Sequence, residues 1–498
     1  MNNKKCVIIG SGLGGLSAGL IMARNGFDVT ILEAHTISGG CLQTFRRGTS
    51  TFETGMHVAG SAREGEILNI MLRFLDADEL PLSPFDTEAY QTVSLPQGRF
   101  TLPNGIDNFT EKLCSLFPSE RDGLHRYRRL IEEIGDCSTP EAICRVKTDI
   151  SAMLRYQTEA ATDVLDSLFT DKTLKAILGA DAPLYAGQSD KTPFSLHAFL
   201  RDFYCRSSFR FTGGSSLLND IMCRNLSEAG ARVLTGAKAT KICFDNTKAT
   251  AVEINGSDTI EADIVITTIH PAALAELIDT PLIRPAYRRR LCSLPAGPAP
   301  FSMYMRFRPR TVPMLNTIFF GYTSDPWHAI DYTPGDWPRG FMLVMTPDKT
   351  DCRYAATAQA ITYMNFSETE PWTHTTRPGL RGESYEAFKK ARAATFTESI
   401  ERHIPGLSGC VEATFTSTPL TYRDYTSTSC GSMYGIERNV RAGLGSHISA
   451  RTRVPNLFLA GQSTNSHGIL GVIIGSILAC SETIGSDAIY NQIIQANR

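Results

Sequence analysis

The segment Val7–His35, VIIGSGLGGLSAGLIMARNGFDVTILEAH, constrains the fold of this chain more than any other. It begins within a short apolar, β-branched run, Lys5–Ile9, which is typical of a buried parallel strand and leads directly into a glycine-rich turn. Apolar residues at helical spacing follow, and Gly26 ends that helix before a second apolar run, Asp28–Leu32. The pattern predicts a strand, a helix and a parallel strand in one unit.

The glycine turn, GSGLGG, has the spacing of a dinucleotide-binding turn, with glycines at Gly10, Gly12, Gly14 and Gly15. The first glycine permits the tight turn, the second lets backbone approach a pyrophosphate, and the last lets the helix pack on the strand. The N–H groups and the dipole at the helix start favour phosphate. Glu33 ends the second strand, where a carboxylate accepts hydrogen bonds from ribose hydroxyls. The motif alone leaves NAD and FAD open.

Composition excludes several other classes of protein. A chain of 498 residues is expected to form more than one lobe. Its net charge of −2 shows no basic excess, so nucleic-acid binding is excluded. The thirteen cysteines contain no C-x-x-C pair, so no metal site or dithiol motif is predicted, and reduced thiols in a cytoplasmic protein are expected.

The N-terminal lysines and apolar run superficially resemble a signal peptide, but glycines interrupt the run after a few residues. The apolar run Gly468–Cys480 is too short to span a bilayer. A membrane contact of this chain is therefore expected to be peripheral.

The residues after Glu33, AHTISGGCLQTFRRGTSTFETGMHVAG, resemble a known family. They are similar to FAD-dependent oxidoreductases that include phytoene desaturases, carotenoid isomerases and all-trans-retinol 13,14-reductases (retinol saturases), and that are related to amine oxidases. In that family the glycine pair contacts the pyrophosphate and the G-x-H segment lies near the flavin ring. Many members carry Arg after the glycine pair, where this chain has Cys41. The resemblance implies FAD contacts by Ala34, Gly39, Gly40, Cys41, Leu42, Thr44, Gly55, Met56 and His57.

Two distant segments extend the resemblance. Phe211–Asp245 combines a glycine turn, an amphipathic helix and a strand, and the resemblance implies that the backbone of Ala239 pairs with the adenine edge. A hairpin is predicted shortly afterwards at Asn255-Gly256. Near the C-terminus, NLFLAGQSTNSHGILGVIIGSILACSETIG places a buried strand before an apolar helix. There the resemblance implies contacts with the ribityl chain, the pyrophosphate and the flavin by Gly461, Gln462, Gly468, Ile469 and Leu470.

These segments imply an α/β fold with two interleaved parts. Residues 1–75, 205–275 and 440–498 are expected to form a Rossmann-like FAD-binding domain of the glutathione reductase type. Residues 76–204 and 276–439 are expected to form an α+β substrate domain. A helical stretch at Asp163–Leu178 and the aromatic strands FSMYMRF and NTIFFGY suit either an apolar cavity or an ordinary core.

Candidates for proton transfer are few, and flavin chemistry requires no nucleophile triad. His57 is a candidate acid or base, and Tyr434 is a candidate proton donor or wall of the site. A structural, hydrogen-bonded role also explains each of them. His270 and His467 are interpreted as turn residues, and Arg288–Arg290 as a solvated helix face.

The resemblance implies an FAD-dependent oxidoreductase acting on carbon–carbon bonds of a lipophilic polyene or isoprenoid, as a saturase, desaturase or isomerase. Its electron donor or acceptor is not specified. One alternative is a flavin amine oxidase, although TNSH stands where amine oxidases tend to show aromatic residues. An alternative from another class is a non-catalytic protein of the GDP-dissociation-inhibitor type, which binds prenyl lipids with the same fold. The intact phosphate glycines favour an enzyme.

Overall fold

The computed structural model describes residues 3–146, 149–376 and 380–498. The strands are β1 (Lys5–Ile9), β2 (Asp28–Leu32), β3 (Thr44–Arg47), β4 (Ser50–Glu53), β5 (Ala59–Gly60), β6 (Leu82–Pro84), β7 (Gln91–Leu95), β8 (Gly98–Leu102), β9 (Ser208–Phe211), β10 (Arg232–Leu234), β11 (Ala239–Phe244), β12 (Ala249–Ile254), β13 (Asp258–Glu261), β14 (Ile264–Thr267), β15 (Ala299–Phe307), β16 (Ile318–Tyr322), β17 (Gly340–Pro347), β18 (Ala355–Met364), β19 (Val411–Ser417) and β20 (Leu457–Leu459). The helices are α1 (Leu13–Arg24), α2 (Ile67–Phe74), α3 (Ile106–Leu116), α4 (Arg121–Gly135), α5 (Pro140–Ile143), α6 (Ser151–Arg155), α7 (Ala161–Leu168), α8 (Lys172–Gly179), α9 (Phe194–Arg206), α10 (Ser216–Glu228), α11 (Pro271–Leu277), α12 (Pro285–Ser293), α13 (Gly382–His403), α14 (Pro419–Thr426), α15 (Gly468–Ile484) and α16 (Ser486–Ala496).

A parallel five-stranded sheet in the order β10-β2-β1-β14-β20 confirms the predicted α/β fold. Strands β1, β2, β14 and β20 are almost entirely buried, which explains their continuous apolar sequence, whereas the edge strand β10 is exposed at Arg232 and Leu234. Cys6 and Ile8 of β1 pack on the helical side with α1, whereas Val7 and Ile9 pack against the small sheet β11-β12-β13. All five strands lie within the three blocks predicted to form the cofactor domain. The domain boundaries themselves stay a prediction.

A second, mixed sheet has the order β19-β15-β18-β17-β16-β7-β8 and contains the two aromatic strands named above. Helix α13 packs on it through Phe396, whose ring contacts Phe301, Trp337 and Phe341 edge to face. Edge-to-face packing of this kind adds to the stabilisation from burial alone. This side of the sheet is an ordinary aromatic core.

The single helical stretch predicted at Asp163–Leu178 is wrong in one respect, because the chain breaks there into α7 and α8. The Glu120 carboxylate accepts hydrogen bonds from the backbone N–H groups of Thr170 (2.9 Å) and Asp171 (2.7 Å) and from the Thr170 hydroxyl (2.7 Å). Asp171 then caps α8 by accepting a bond from the Leu174 N–H at 2.9 Å. A carboxylate fifty residues upstream therefore fixes the break.

A buried ion pair organises the helical part next to the second sheet. Arg201 on α9 is 1% exposed and lies 2.9 Å from the Asp181 carboxylate. The guanidinium also donates to the Gln91 side chain and to the carbonyl of Leu178, each at 2.9 Å, and contacts the hydroxyl of Tyr90 at 3.3 Å. Burial raises the pKa of Asp181 to about 6, against the lowering effect of Arg201.

All thirteen cysteines are free, as expected for reduced thiols. Within 3–146, 149–376 and 380–498, none of the helices is both long enough and apolar enough to cross a bilayer.

Candidate active site

The glycine turn between β1 and α1 has the geometry that its sequence predicts. Gly10 adopts φ +99° and donates its N–H to the Leu32 carbonyl at 2.8 Å. A Cβ on Gly15 would lie 1.9 Å from the Gly10 carbonyl oxygen, so α1 approaches the turn as only glycine allows. By contrast, a Cβ on Gly12 would meet no atom within 4 Å. The open space beside Gly12 lies where a pyrophosphate is expected.

The second glycine pair packs directly on this turn. Gly39 donates its N–H to the Ser11 carbonyl at 3.0 Å and forms a parallel bridge with Gly12. A Cβ on Gly40 would lie 3.1 Å from the Gly12 Cα. Both glycines have positive φ, at +108° and +54°. Two glycine loops that are 30 residues apart in sequence thus form one surface of bare backbone, which fits a pyrophosphate.

Glu33 stands at the end of β2, as predicted, and is 8% exposed. Its Oε2 accepts hydrogen bonds from the Ser11 N–H (3.1 Å) and hydroxyl (2.5 Å), and its Oε1 accepts one from the His35 N–H (2.9 Å). These donors hold the carboxylate beside the glycine turn. A contact from this carboxylate to a ribose stays a prediction.

The segment Phe211–Asp245 lies beside Glu33 because their backbones are hydrogen-bonded. The Glu33 N–H donates to the Leu234 carbonyl and the Glu33 carbonyl accepts from the Ala237 N–H, each at 2.8 Å. Ala239 begins β11 two residues later, opposite Ile254. The Asn255-Gly256 turn is confirmed, with positive φ at both residues. Ala239 is therefore near Glu33, as an adenine contact requires.

The C-terminal segment closes on the first one. A Cβ on Gly14 would lie 3.2 Å from the Gly461 Cα, and the Ser476 hydroxyl on α15 donates to the Gly14 carbonyl at 2.8 Å. Gly475 faces Gly461 from the same helix. The predicted helix start at Gly468 is confirmed, and no side chain of His467 caps it. N–H groups in this first turn, which includes Ile469 and Leu470, therefore remain available to an anion.

The other predicted cofactor residues are placed as follows. Leu42 ends a short 3-10 turn, Gly40–Leu42, and is buried. Gly55 lies against Cys41, because a Cβ on Gly55 would be 2.9 Å from the Cys41 Cβ. The list is completed by Thr44 at the start of β3, Met56 packed against the core, Gln462 beside Gly435, and Ala34, which is exposed.

Several side chains around these glycines are largely enclosed by protein. Burial raises the pKa of the Cys41 thiol and, more strongly, that of Tyr434, and it lowers the pKa of His57 to about 4. All three side chains nevertheless keep part of their surface exposed. These groups are therefore largely enclosed by protein. The bare glycine surface and the uncapped helix starts beside them fit FAD.

The structure separates the two catalytic candidates. Among the described residues the His57 ring has no hydrogen-bond partner, and its lowered pKa keeps it neutral at pH 7. Tyr434 donates its hydroxyl to the Pro183 carbonyl at 3.0 Å and stacks on His467, with ring centroids 4.2 Å apart. Burial and the Arg438 charge lower the pKa of His467 to about 3. His270 caps α11 by accepting a bond from the Ala272 N–H, as a turn residue would.

Two residues near the site were missed by sequence reasoning. Glu53 is an enclosed carboxylate whose pKa burial raises to about 7, and it accepts hydrogen bonds from the N–H and hydroxyl of Ser215. Its position inside the FETGMH segment was the available signal. Arg438 donates to the carbonyls of the turn before α15. No motif marks Arg438 in the sequence.

Comparison with known proteins agrees with this geometry. The family model for flavin containing amine oxidoreductases matches residues 13–483. The all-trans-retinol 13,14-reductase of Homo sapiens is 27% identical, over 98% of this chain and 86% of that protein. Prolycopene isomerase 1, chloroplastic, of an Oncidium hybrid cultivar is 22% identical, over 97% of this chain and 84% of that protein.

Solved structures share the fold. An oxidoreductase from Methanosarcina mazei aligns with a TM-score of 0.64 and 16% identity, covering 95% of this chain and 99% of that chain. Cyclohexylamine oxidase from Brevibacterium oxydans IH-35A aligns with a TM-score of 0.62 and 13% identity, covering both chains completely. The sequence match and the assembled glycine loops agree, so this chain belongs to the flavin containing amine oxidoreductase family and is an FAD-dependent oxidoreductase.

Proposed function

We propose that this protein adds hydrogen to, removes it from, or rearranges carbon–carbon double bonds of a lipophilic polyene of the retinoid or carotenoid type. Relatives named for a retinol reductase and a prolycopene isomerase match almost the whole chain. The cofactor contacts named above, from Gly10 to Leu470, form part of the same proposal. The main rival is amine oxidation, which the fold alone permits.

The stacked rings of Tyr434 and His467 favour the polyene reaction over amine oxidation. An amine held between two aromatic faces needs rings about 7 Å apart, because each face requires about 3.5 Å of van der Waals separation. The Tyr434 and His467 rings are 4.2 Å apart and pack on each other, so nothing fits between them. The positively charged Arg438, which bonds to the turn before His467, also disfavours a bound ammonium. A neutral substrate agrees with both observations.

When bound, FAD supplies hydride acceptance or donation at its ring, and this chain's residues must position the substrate and exclude water. His57 is neutral at pH 7 and has no hydrogen-bond partner in the described residues, so it is free to exchange a proton. We assign the proton role to His57. Tyr434, whose proton is held by Pro183, is assigned to the wall of the site.

We also propose that the polyene enters from a membrane through a peripheral contact. Ile37 is 61% exposed and Tyr425 is 55% exposed, and both lie beside the loop that follows Glu33. The His35 ring, two residues before Ile37, contacts the Tyr425 carbonyl at 3.0 Å. We assign these two exposed side chains to the membrane contact. In a vesicle co-sedimentation assay, Ile37→Ser with Tyr425→Ser should weaken binding, whereas Arg289→Ser on the exposed face of α12 should not.

The reaction is tested with purified, FAD-loaded protein. Under anaerobic conditions the dithionite-reduced protein is mixed with all-trans-retinol or with an acyclic carotene. The products are separated by chromatography, and their masses are measured by mass spectrometry. Saturation adds two hydrogens and shortens the absorbing polyene, whereas isomerisation changes retention without changing mass. The oxidised protein is incubated in parallel with the same lipids and with cyclohexylamine or putrescine. Peroxide release from an amine, without any change in the polyenes, would overturn the proposal.

The role of His57 is tested by His57→Gln, which keeps a polar side chain of similar size. Loss of an acid or base typically lowers turnover by about 10²–10⁴-fold. We expect such a loss in kcat on the polyene with unchanged FAD affinity, while Tyr434→Phe keeps most of the activity. Equal activity of His57→Gln and the unmodified protein would remove His57 from the mechanism.

A further inference from the structure

Arg438 is an enclosed cation with no carboxylate partner among the described residues. Burial lowers its pKa to about 10, so it remains protonated at neutral pH. The adjacent carboxylate, Glu437, lies 3.6 Å from Lys191 instead. Enclosing an unpaired charge costs free energy, and hydrogen bonds offset that cost only in part. If this position required only hydrogen-bond donors, a neutral amide side chain would serve in place of the charged Arg438.

All the hydrogen bonds of Arg438 go to neutral acceptors. Its Nη2 donates to the carbonyls of Ser463 and Thr464, each at 3.2 Å, and of Asn465 at 2.8 Å. Its Nη1 donates to the Ser446 carbonyl at 2.8 Å and contacts His447 Nδ1 at 3.3 Å. The guanidinium thus donates hydrogen bonds to three successive carbonyls of one turn while keeping its full charge.

That turn leads directly into the start of α15. Gly468 is three positions after Asn465, a stretch that spans at most about 11 Å. The dipole of α15 places positive potential at its first N–H groups. The field of Arg438 reaches this point, because the same charge contributes to the low pKa of His467, the residue just before Gly468. The charge of Arg438 and the dipole of α15 therefore act in the same direction.

We propose that Arg438 is a positioning residue that supplies positive potential to the start of α15 and thereby makes the bound flavin easier to reduce. The inference rests on the proposed function for the placement of the flavin pyrimidine edge at this helix start. That edge is anionic in reduced flavin, and a charge in a poorly solvated region is weakly screened. Arg438 therefore favours the reduced form over the oxidised one.

Two substitutions separate charge from hydrogen bonding. Arg438→Gln keeps N–H donors for the turn but removes the charge, whereas Arg438→Lys keeps the charge but loses the multiple bonds. The readouts are the midpoint potential of bound FAD, measured against reference dyes, and the FAD affinity of the apoprotein. Arg290→Gln is the matched control, because Arg290 is exposed and donates to the carbonyls of Gly445 and His447 in the neighbouring segment.

We expect Arg438→Gln to weaken the binding of reduced relative to oxidised flavin by about tenfold or more, which makes the potential about 30 mV more negative. Arg438→Lys should shift the potential by less than half of that amount while lowering FAD affinity. Arg290→Gln should change neither. An unchanged potential in Arg438→Gln, or equal shifts in the Gln and Lys variants, would overturn the proposal. Failure of both variants to fold would show a purely structural role and overturn it as well.

These readouts need bound FAD but no turnover. A protein that shows the predicted shifts yet leaves every polyene unchanged would contradict the proposed reaction alone. If the protein converts a polyene but the midpoint potential of its bound FAD does not change when Arg438 is replaced, only this inference is contradicted.

Discussion

Two regions of the molecule are tightly constrained, but by opposite means. One is the cofactor cradle, formed by the glycine loops 10–15 and 39–40 and the residues around them, and the other is the helical part around Arg201. In the cradle, a Cβ on Gly40 would lie only 3.1 Å from the Gly12 Cα, so the two backbones pack where a side chain would crowd them. Around Arg201, a large charged side chain is fully enclosed and held by Asp181, Gln91 and Leu178. The first kind of constraint leaves a local sequence signature at each glycine, whereas the second depends on side chains from other segments. Substitutions should therefore affect the two regions in different ways.

The largest effect is expected at Gly15. Gly15→Ala places a methyl group 1.9 Å from the Gly10 carbonyl oxygen, so the turn must open. We expect loss of FAD binding and destabilisation of the apoprotein by about 3 kcal/mol or more. Flavin absorbance after reconstitution and urea unfolding of the apoprotein measure the two effects.

Gly12→Ala is the matched variant within the same turn. Gly12 has φ −63°, which alanine adopts freely, and a Cβ there meets no protein atom within 4 Å. We expect apoprotein stability to stay unchanged while the FAD dissociation constant rises about tenfold or more, a cost of ~1.4 kcal/mol. If FAD binds normally to Gly12→Ala, the open space at Gly12 does not hold the cofactor.

In the helical part, Arg201→Met leaves the Asp181 carboxylate buried without its cation. Breaking a buried ion pair in this way costs about 3–5 kcal/mol. Adding Asp181→Asn should recover part of the loss, because the unpaired charge is removed. Urea unfolding measures both variants, and FAD affinity should hardly change.

The control is the exposed pair of Arg224 and Glu79, with side chains 51% and 56% exposed. Arg224→Met should cost no more than about 1 kcal/mol. Equal losses in Arg201→Met and Arg224→Met would contradict the importance of burial in the comparison.

Glu53 provides a pH-dependent test in the cradle. Its pKa is raised by burial from 4.5 to about 7 in the folded protein. Between pH 4.5 and pH 7 the Glu53 carboxyl is ionised in the unfolded chain but protonated in the folded protein. The stabilisation present below pH 4.5 is therefore lost as the pH rises to 7. A pKa rise from 4.5 to about 7 corresponds to about 3 kcal/mol of lost stability. Unfolding free energies of the apoprotein from pH 5 to 8 should fall more steeply than in Glu53→Gln, and parallel curves would contradict the assignment.

A small effect is expected at the hydroxyl groups that donate to Ala182 and Pro183. Tyr434→Phe leaves the Pro183 carbonyl without its 3.0 Å bond, and Tyr363→Phe removes the 3.3 Å bond to Ala182. Each should cost about 1 kcal/mol in urea unfolding. Both variants should retain FAD, and a loss of flavin only in Tyr434→Phe would assign a binding role to its hydroxyl.

The sequence predicts the cradle well because glycine requirements are local. A turn with Gly10 at positive φ, followed by a helix that tolerates no Cβ at Gly15, leaves its signature within six residues. Glu33 is predictable for the same reason, since it ends the next strand. These residues were identified without any knowledge of distant contacts.

The remaining features depend on partners far along the chain. Arg438 is held by carbonyls about 25 residues later, and any residue supplies a carbonyl. The break between α7 and α8 depends on Glu120, and Arg201 depends on residues of two other segments, 90–91 and 178–181. Such constraints are set by the tertiary fold, so spacing in the sequence does not reveal them.

The packing of α15 against the first glycine turn has a consequence for synthesis on the ribosome. More than 440 residues separate Gly15 from Gly461, yet the two segments meet through Gly14 and Ser476. At the usual rate of translation, this separation corresponds to roughly 20–90 s. During that interval the nascent chain carries its phosphate turn without the helix that covers it. Because the proposed cofactor contacts include the start of α15, we expect stable flavin capture only after α15 has been synthesised, and a chain that stalls earlier should not retain the cofactor.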